Sequence, residues 1–373
     1  MSNLFHLWPL IKKDIILKSR RKVIKDKNKL SSVTAGNNDS WVVSVSPHVK
    51  SKETVGKIMW TVSAALLPLL VSSIFIFGFQ TLVITAVSVL SCVAVEVISQ
   101  KCLNRPVTIK DGSAVLTGIL LAYVIPPGVS VWLPVLGAVM AIYVAKHLLG
   151  GIGSNIFNPA LIGRAFLMAT FPVAMTSAWL SPSAGGFFGH VQTGVDAVST
   201  ATPLFVLKHF GIQGVIDKFG SLSTIYSHFL MGLRPGCIGE TSAILIILGG
   251  LVLLYMKYIS WHIPVSVILS VAFFTWIFGG DGYFTGNPIL AVLSGGVLLG
   301  AFFMATDYVT APSQPIAKLI YGTGIGAITV LIRLKGGYPE GICYAILLMN
   351  AITPTLETRF RPRRFAPPKG VDK

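Results

Sequence analysis

The sequence predicts an all-α polytopic membrane protein of about ten transmembrane helices. Three observations lead there. Of 373 residues, 53% are hydrophobic and only 12% charged, about half the roughly 25% charged share of soluble domains. Apolar runs approaching the ~20 residues that a spanning helix needs recur along the chain. The basic residues collect at its two ends, in Lys12, Lys13, Lys18, Arg20, Arg21, Lys22, Lys25, Lys27 and Lys29, and again in Arg359, Arg361, Arg363 and Arg364. That is the pattern of a membrane protein with both termini in the cytoplasm. A formal net charge of +16 could also attract nucleic acid. Basic flanks on so hydrophobic a chain are first a topology signal, and no nucleic-acid partner is expected.

Taken in order, residues 1–56 form a polar, basic N-terminal segment on the cytoplasmic side. Its one apolar patch, over residues 4–17, is interleaved with Lys12, Lys13 and Lys18. It reads either as an amphipathic helix lying on the lipid bilayer or as a loosely ordered tail. No cleavable signal peptide is expected, because the first long apolar run starts only near Ile58. Residues 57–356 are the membrane domain, with candidate spans at 58–78, 80–99, 111–126, 130–148, 159–178, 239–257, 262–279, 288–305, 316–333 and 339–353. Residues 357–373 are a basic cytoplasmic tail. Several spans are short or broken, the third by Pro126-Pro127. Such breaks often mark a site at membrane depth, because the freed backbone groups must face protein, water or a ligand.

Charge bias orients the spans. It puts Lys101, Arg105, Lys110, Lys146, His147, Lys257 and His262 inside, and the cation-free stretch 173–202 outside. Arg333 and Lys335 fall outside, as exceptions. Ten spans split into two five-helix halves of opposite orientation, which is the arithmetic of an inverted repeat, although the halves share no convincing residue-level similarity.

Chemistry-bearing residues are few. Cys92, Cys102, Cys237 and Cys343 form no C-x-x-C pair, so neither zinc nor an Fe–S cluster is expected within this chain. No nucleophile–base constellation suggests catalytic residues of its own. Charged groups at membrane depth are costly and tend to be functional; these are Glu96, Asp111, Arg164, Glu240 and Asp307. Glu96, near the end of its span, can alternatively reach the headgroups, and Arg164 can pair with an acid. The hydroxyl-rich stretch from Asp196 through Ser199, Thr200, Ala201 and Thr202 to Pro203 lies in the cation-free outer interval. Thr202 as N-cap with Pro203 at the first helical position would satisfy ordinary capping rules. The same helix start would seat a phosphate ester, because free N–H groups and the helix dipole both favour an anion. Asn155 and Asn158 flank Pro159, where capping and turn chemistry is the simplest reading.

These residues carry a resemblance. Asp196, Ser199, Ala201 and Thr202 match the flavinylation motif of the RnfD/NqrB family, whose members are membrane subunits of the Rnf complex and of the sodium-pumping NADH:quinone reductase; Thr200 stands where the family usually has Gly. Other similar blocks follow in family order: Val45-Ser46-Pro47-His48-Val49, Asp111-Gly112-Ser113 with Pro126-Pro127, Gly153-Ser154-Asn155-Ile156-Phe157-Asn158-Pro159-Ala160, and Phe303-Met304-Ala305-Thr306-Asp307. They cover residues 44–356, and the compact length favours the Rnf member of the family.

The resemblance implies FMN esterified through its phosphate to Thr202 by a flavin transferase, on the outer face of the bacterial cytoplasmic (inner) membrane. It also implies a second, noncovalent riboflavin near Asn155 and Asn158, whose amides suit the donor and acceptor edge of a flavin. Asp111 and Asp307 would line a cytoplasmic ion entry, the other reading of each being an interfacial acid that caps a helix end. Partners would be a second FMN-bearing subunit and Fe–S-carrying membrane subunits of a complex coupling ferredoxin:NAD⁺ oxidoreduction to Na⁺ or H⁺ movement. NAD and ferredoxin would bind other subunits, since no suitable G-x-G-x-x-G occurs here. The alternatives are the quinone-reductase member of the family and, in another class, a cofactor-free channel or secondary carrier.

Overall fold

The computed structural model describes residues 53–180, 182, 203–280, 282–337 and 340–360. All regular structure among them is helical. Helix α1 spans Val55–Phe77, capped by Thr54, whose hydroxyl accepts from Lys57 N at 3.2 Å, and stopped by Gly78 at φ 86°. Then come α2 (Gln80–Cys102), a 3₁₀ turn (Ile109–Asp111) and α3 (Ser113–Tyr123). Helix α4 (Leu133–His147) turns from α to π geometry at Val139. Helix α5 (Pro159–Thr170) opens on Asn158 and Pro159 and is followed directly by the short α6 (Pro172–Ser177).

The description resumes with α7 (Pro203–Phe219), kinked at Gly211 with φ 65°, and α8 (Leu222–Met231). After a second 3₁₀ turn (Ile238–Glu240), α9 (Ala243–Tyr255) and α10 (His262–Phe278) follow. The next segment is broken: α11 is Pro288–Leu293, and α12 is Val297–Leu299 continuing as a π-helix over Gly300–Met304. Helices α13 (Pro315–Lys335) and α14 (Ile342–Arg359) complete the bundle.

All ten apolar segments expected from the sequence are helical, with α5 and α6 sharing one of them and α11 and α12 another. Helices α7 and α8 are additional. They make a separate apolar cluster of Val206, Val215, Ile225 and Phe229 against Leu290. Three helices, α1, α2 and α13, are individually long and apolar enough to cross a membrane. Large apolar side chains lie exposed along the outer faces of several helices, among them Leu67, Val71 and Phe75 of α1, Leu248, Leu251 and Val252 of α9, and Leu269 and Phe273 of α10. In water so much exposed apolar surface would promote association; against lipid it is the favoured surface.

Small residues set the closest approaches, as expected where lipid removes the hydrophobic drive between helices. A Cβ on Gly118 of α3 would meet Val89 Cα at 2.6 Å, and Ser88 Oγ donates to the Gly118 carbonyl at 2.8 Å. Along α10 and α13, Gly322 faces Ser266 and Gly326 faces Ser270, each so tightly that a Cβ would stand 1.8 Å from the serine Oγ.

The loops gather at two ends of the bundle. At one end Tyr258 donates to Glu53 at 2.8 Å, Trp60 Nε1 to Lys110 O at 3.4 Å and Arg105 to His147 O at 3.4 Å. At the other, Gly128 N donates to Ala178 O at 3.1 Å, Ile238 N to Ile125 O at 3.3 Å and Asn287 to Tyr226 at 2.6 Å.

Candidate functional site

A cleft of about 800 Å³, counting its open mouth, lies between the first five apolar segments and the last five. Ile58, Met59 and Val62 of α1 line one side, Leu116 and Leu120 of α3 another, and Phe302 and Phe303 of α12 a third. Asn155 and Asn158, from the loop before α5, close the wall. Both π-helical segments contribute to it, one through Lys146 and the other through Phe302 and Phe303. π-Turns occur frequently at functional sites because they displace one residue out of helical register.

The two asparagines are unlike each other. Asn158 Oδ1 accepts from Ala160 N at 3.0 Å and Leu161 N at 3.4 Å, and its Nδ2 donates to Met304 O at 3.2 Å. It therefore caps α5 and ties that helix to α12, with its amide fully engaged. Asn155 Nδ2 donates to Phe157 O at 3.2 Å, and no hydrogen bond to its Oδ1 occurs among the described residues. Asn155 is thus the amide free to meet a ligand.

Asp307 lines the cleft near its mouth and accepts from the Thr310 hydroxyl at 3.3 Å. Desolvation pushes its carboxyl above the usual range, opposed by donors from Val309, Thr310 and Tyr308. Asp111 stands outside the lining but one bond away: its Oδ1 accepts from Ser113 N at 2.9 Å and Ser113 Oγ at 2.7 Å. Ser113 lines the cleft and accepts from Lys146 Nζ at 2.8 Å. Lys146 also donates to Glu96, at 2.8 Å to Oε1 and 2.6 Å to Oε2. Glu96 is completely buried, so it does not reach the headgroups as its place near a helix end suggested.

A second buried cluster lies at the opposite end. Arg164 of α5 pairs with Glu340 and approaches Cys237 Sγ at 3.9 Å. Arg234 donates to the Glu240 carbonyl at 3.2 Å. Arg333 is buried within α13 rather than stranded in an outer loop, which explains its departure from the charge rule. It donates to Ala291 O at 2.7 Å, Ser294 O at 2.8 Å and Gly295 O at 3.3 Å. Those are the carbonyls that the break between α11 and α12 sets free. Gly295 and Gly296 make the break with φ of 64° and 67°, a conformation that side chains disfavour. Cys237 Sγ and the carboxylates of Glu240 and Glu340 lie within 4.8 Å of one another. The three guanidiniums around them already supply the positive charge a cation would bring.

Of the flavinylation-motif residues, Asp196, Ser199, Ala201 and Thr202 lie outside the described residues, and Pro203 opens α7. Leu204, in the first turn, is buried beside Gly295 and shares a small hollow with Arg234, Glu240 and Glu340. The sequence marks Lys146 only as a topology signal and Cys237 only as one of four scattered cysteines, and nothing in it singles out Arg234 or Glu340. A signal existed for Lys146, since one acid and one base in neighbouring apolar spans invite pairing.

The chain is similar to known proteins over most of its length. The model of the NQR2, RnfD, RnfE family matches residues 42–366. The D subunit of the proton-translocating ferredoxin:NAD(+) oxidoreductase complex of Clostridium ljungdahlii is 49% identical over 87% of this chain and 96% of its own length. The D subunit of the Na(+)-translocating ferredoxin:NAD(+) oxidoreductase complex of Acetobacterium woodii is 44% identical over 87% and 94%. The D subunit of the ion-translocating oxidoreductase complex of Escherichia fergusonii is 36% identical over 88% and 99%. With the family model spanning most of the chain and near-full-length relatives well above 30% identity, this multi-pass membrane protein belongs to the NQR2, RnfD, RnfE family.

Proposed function

We propose that the chain is the RnfD-type subunit of an ion-translocating ferredoxin:NAD⁺ oxidoreductase complex, and that it carries FMN esterified through its phosphate to Thr202 and relays electrons to or from partner subunits. The observation that carries this is near-full-length similarity to two ferredoxin:NAD(+) oxidoreductase subunits in a chain that also has the Asp196, Ser199, Ala201, Thr202 pattern. One of those relatives is named for protons and the other for Na⁺, so membership alone does not select the ion.

The chain crosses the bacterial cytoplasmic membrane ten times with both termini inside, its two five-segment halves inverted. Support comes from the loop contacts, which join segments of like charge-derived side. The end that holds Lys110, His147 and Tyr258 is cytoplasmic. Helix α7 packs at the other end, where Lys208 donates to the Gly336 carbonyl and Leu204 meets Gly295. Thr202, two residues before Leu204, belongs on that extracytoplasmic side. The α7 N-terminus favours an anion there, and the arginines around Glu240 and Glu340 add to that field.

The cleft suits a noncovalent riboflavin. Its apolar walls match the faces of a flat ring system, and Asn155 Oδ1 together with the Thr117 and Thr306 hydroxyls offers polar edges. Asn158 shapes the wall rather than contacting the flavin. Each flavin, when bound, supplies the one- and two-electron chemistry, while the chain orients it and excludes water. Asp111 and Asp307 flank the cytoplasmic mouth, in reach of an entering cation. Partners are the other subunits, including an FMN-bearing and an Fe–S-bearing one, and the flavin transferase that attaches the FMN.

Intact mass of the subunit from the native complex, with in-gel fluorescence after denaturation, tests the attachment. One FMN adduct and a fluorescent band that disappears in Thr202→Ala are expected. A dark native band of unmodified mass would refute the assignment and favour a cofactor-free carrier.

A further inference from the structure

The deepest ionic pair of the cytoplasmic half is Glu96 of α2 with Lys146 of α4. Glu96 is 0% and Lys146 3% exposed, so neither reaches water. All three ammonium donors are committed, two to Glu96 and one to Ser113 Oγ, and Ser113 in turn donates to Asp111 at 2.7 Å. The ammonium is therefore held at one point. That point is in the cleft wall: Lys146 lines it, and Glu96 stands behind Lys146. The other charged or titratable groups nearby are Cys92, one turn before Glu96 on α2, Asp111 behind Ser113, Asp307 in the cleft lining, His147, whose Nε2 lies 3.8 Å from Glu96, and Arg105, which donates to the His147 carbonyl.

Packing does not require this arrangement. Apolar side chains of equal volume would hold α2 against α4 at least as well, because burying two ions costs about as much as their attraction returns. Ionisable groups kept at membrane depth point to a task. A fixed positive charge in a low-dielectric wall stabilises negative charge in the space beside it, and a carboxylate behind it opposes that effect.

We propose that Lys146 raises, and Glu96 lowers, the reduction potential of the flavin held in the cleft, each as a positioning residue that acts through its charge. This rests on the flavin-bearing reading of the cleft. An electron arriving there adds one negative charge. The Lys146 ammonium favours that state, and the Glu96 carboxylate, farther off, offsets part of the gain. The pair thus sets the potential by the difference in distance of its two charges from the ring.

The two groups therefore predict opposite signs. Noncovalent flavin is quantified in the purified complex, and its potential is followed by optical redox titration. Lys146→Met should lower the one-electron equilibrium at least about tenfold, or about 59 mV for one electron. Glu96→Gln should raise it. Lys146→Arg should keep most of the native value, and Lys146→Met with Glu96→Gln should return toward it, as a charge-pair cycle requires. A merely structural pair would move both single variants alike. Flavin retained at native potential in both, or shifted the same way in both, overturns the proposal. Should Lys146→Met fail to assemble, the rise in Glu96→Gln and the rescue in Lys146→Arg decide it. A native complex whose D subunit holds no noncovalent flavin overturns instead the reading of the cleft, and this proposal with it.

Discussion

Replacing Arg333 by methionine keeps much of the side-chain volume and removes every donor. In the native structure the guanidinium serves Ala291 O and Ser294 O at 2.7 and 2.8 Å, with a longer contact to Gly295 O. Hydrogen bonds from a charged donor contribute about 1.5–3 kcal/mol each, so the two short ones amount to roughly 3–6 kcal/mol. Methionine also removes the cost of burying a cation, which offsets part of that sum. A net loss of about 2–4 kcal/mol follows, because the carbonyls left at the helix break find no water at that depth. Lysine keeps the charge but is a single point donor that cannot span the fork, so Arg333→Lys should fall between methionine and native. Leu331→Ala, on the exposed face of the same helix, is the control and should stay within about 0.5 kcal/mol. The assay is reversible unfolding of the purified protein in mixed micelles by SDS titration. A methionine variant as stable as the leucine control would refute the claim that Arg333 holds the break together.

Gly326→Ala should loosen the α10–α13 seam, since the new Cβ meets Ser270 Oγ at 1.8 Å and Val271 N at 2.9 Å. A loss of about 1–3 kcal/mol is expected for such overpacking, partly recovered by adding Ser270→Gly, as read from the same unfolding titration. At the end of the bundle that holds Lys110 and His147, hydrogen bonds from Lys57 and Tyr258 hold the Glu53 carboxyl below its usual 4.5. A depressed carboxyl stabilises above its unfolded value and loses that contribution as pH falls through the folded one. The stability gap between the native protein and Tyr258→Phe should therefore be present at neutral pH and shrink on acidification below about 4.5. A gap that widens instead would reject the tie.

The ten apolar segments were readable because each must bury its backbone polar groups in its own helix, and that demand leaves long apolar runs in the sequence. A break was readable at Pro126-Pro127, just past the end of α3, whereas 159–178 and 288–305 read as single spans although Pro172 and Gly295-Gly296 interrupt them. Of α7 only the start at Pro203 was readable; its length and the whole of α8 were not, because they are mixed in polarity and stabilised by packing against Leu290 from a distant segment. Asn155 and Asn158 could be named from their block, but whether an amide is free or consumed depends on a partner 146 residues away, Met304.

The sequence by itself determined the membrane class, the approximate helices, the polar motif at Thr202 and the charge asymmetry, since each follows from local composition and the cost of placing polar groups in lipid. Only the tertiary structure decided which charges meet. Lys146 finds Glu96 from 50 residues away, and Arg164 finds Glu340 from 176. Pairing at such distances is set by which helices pack together, and helix packing depends on side-chain shape along whole faces rather than on any single stretch of chain.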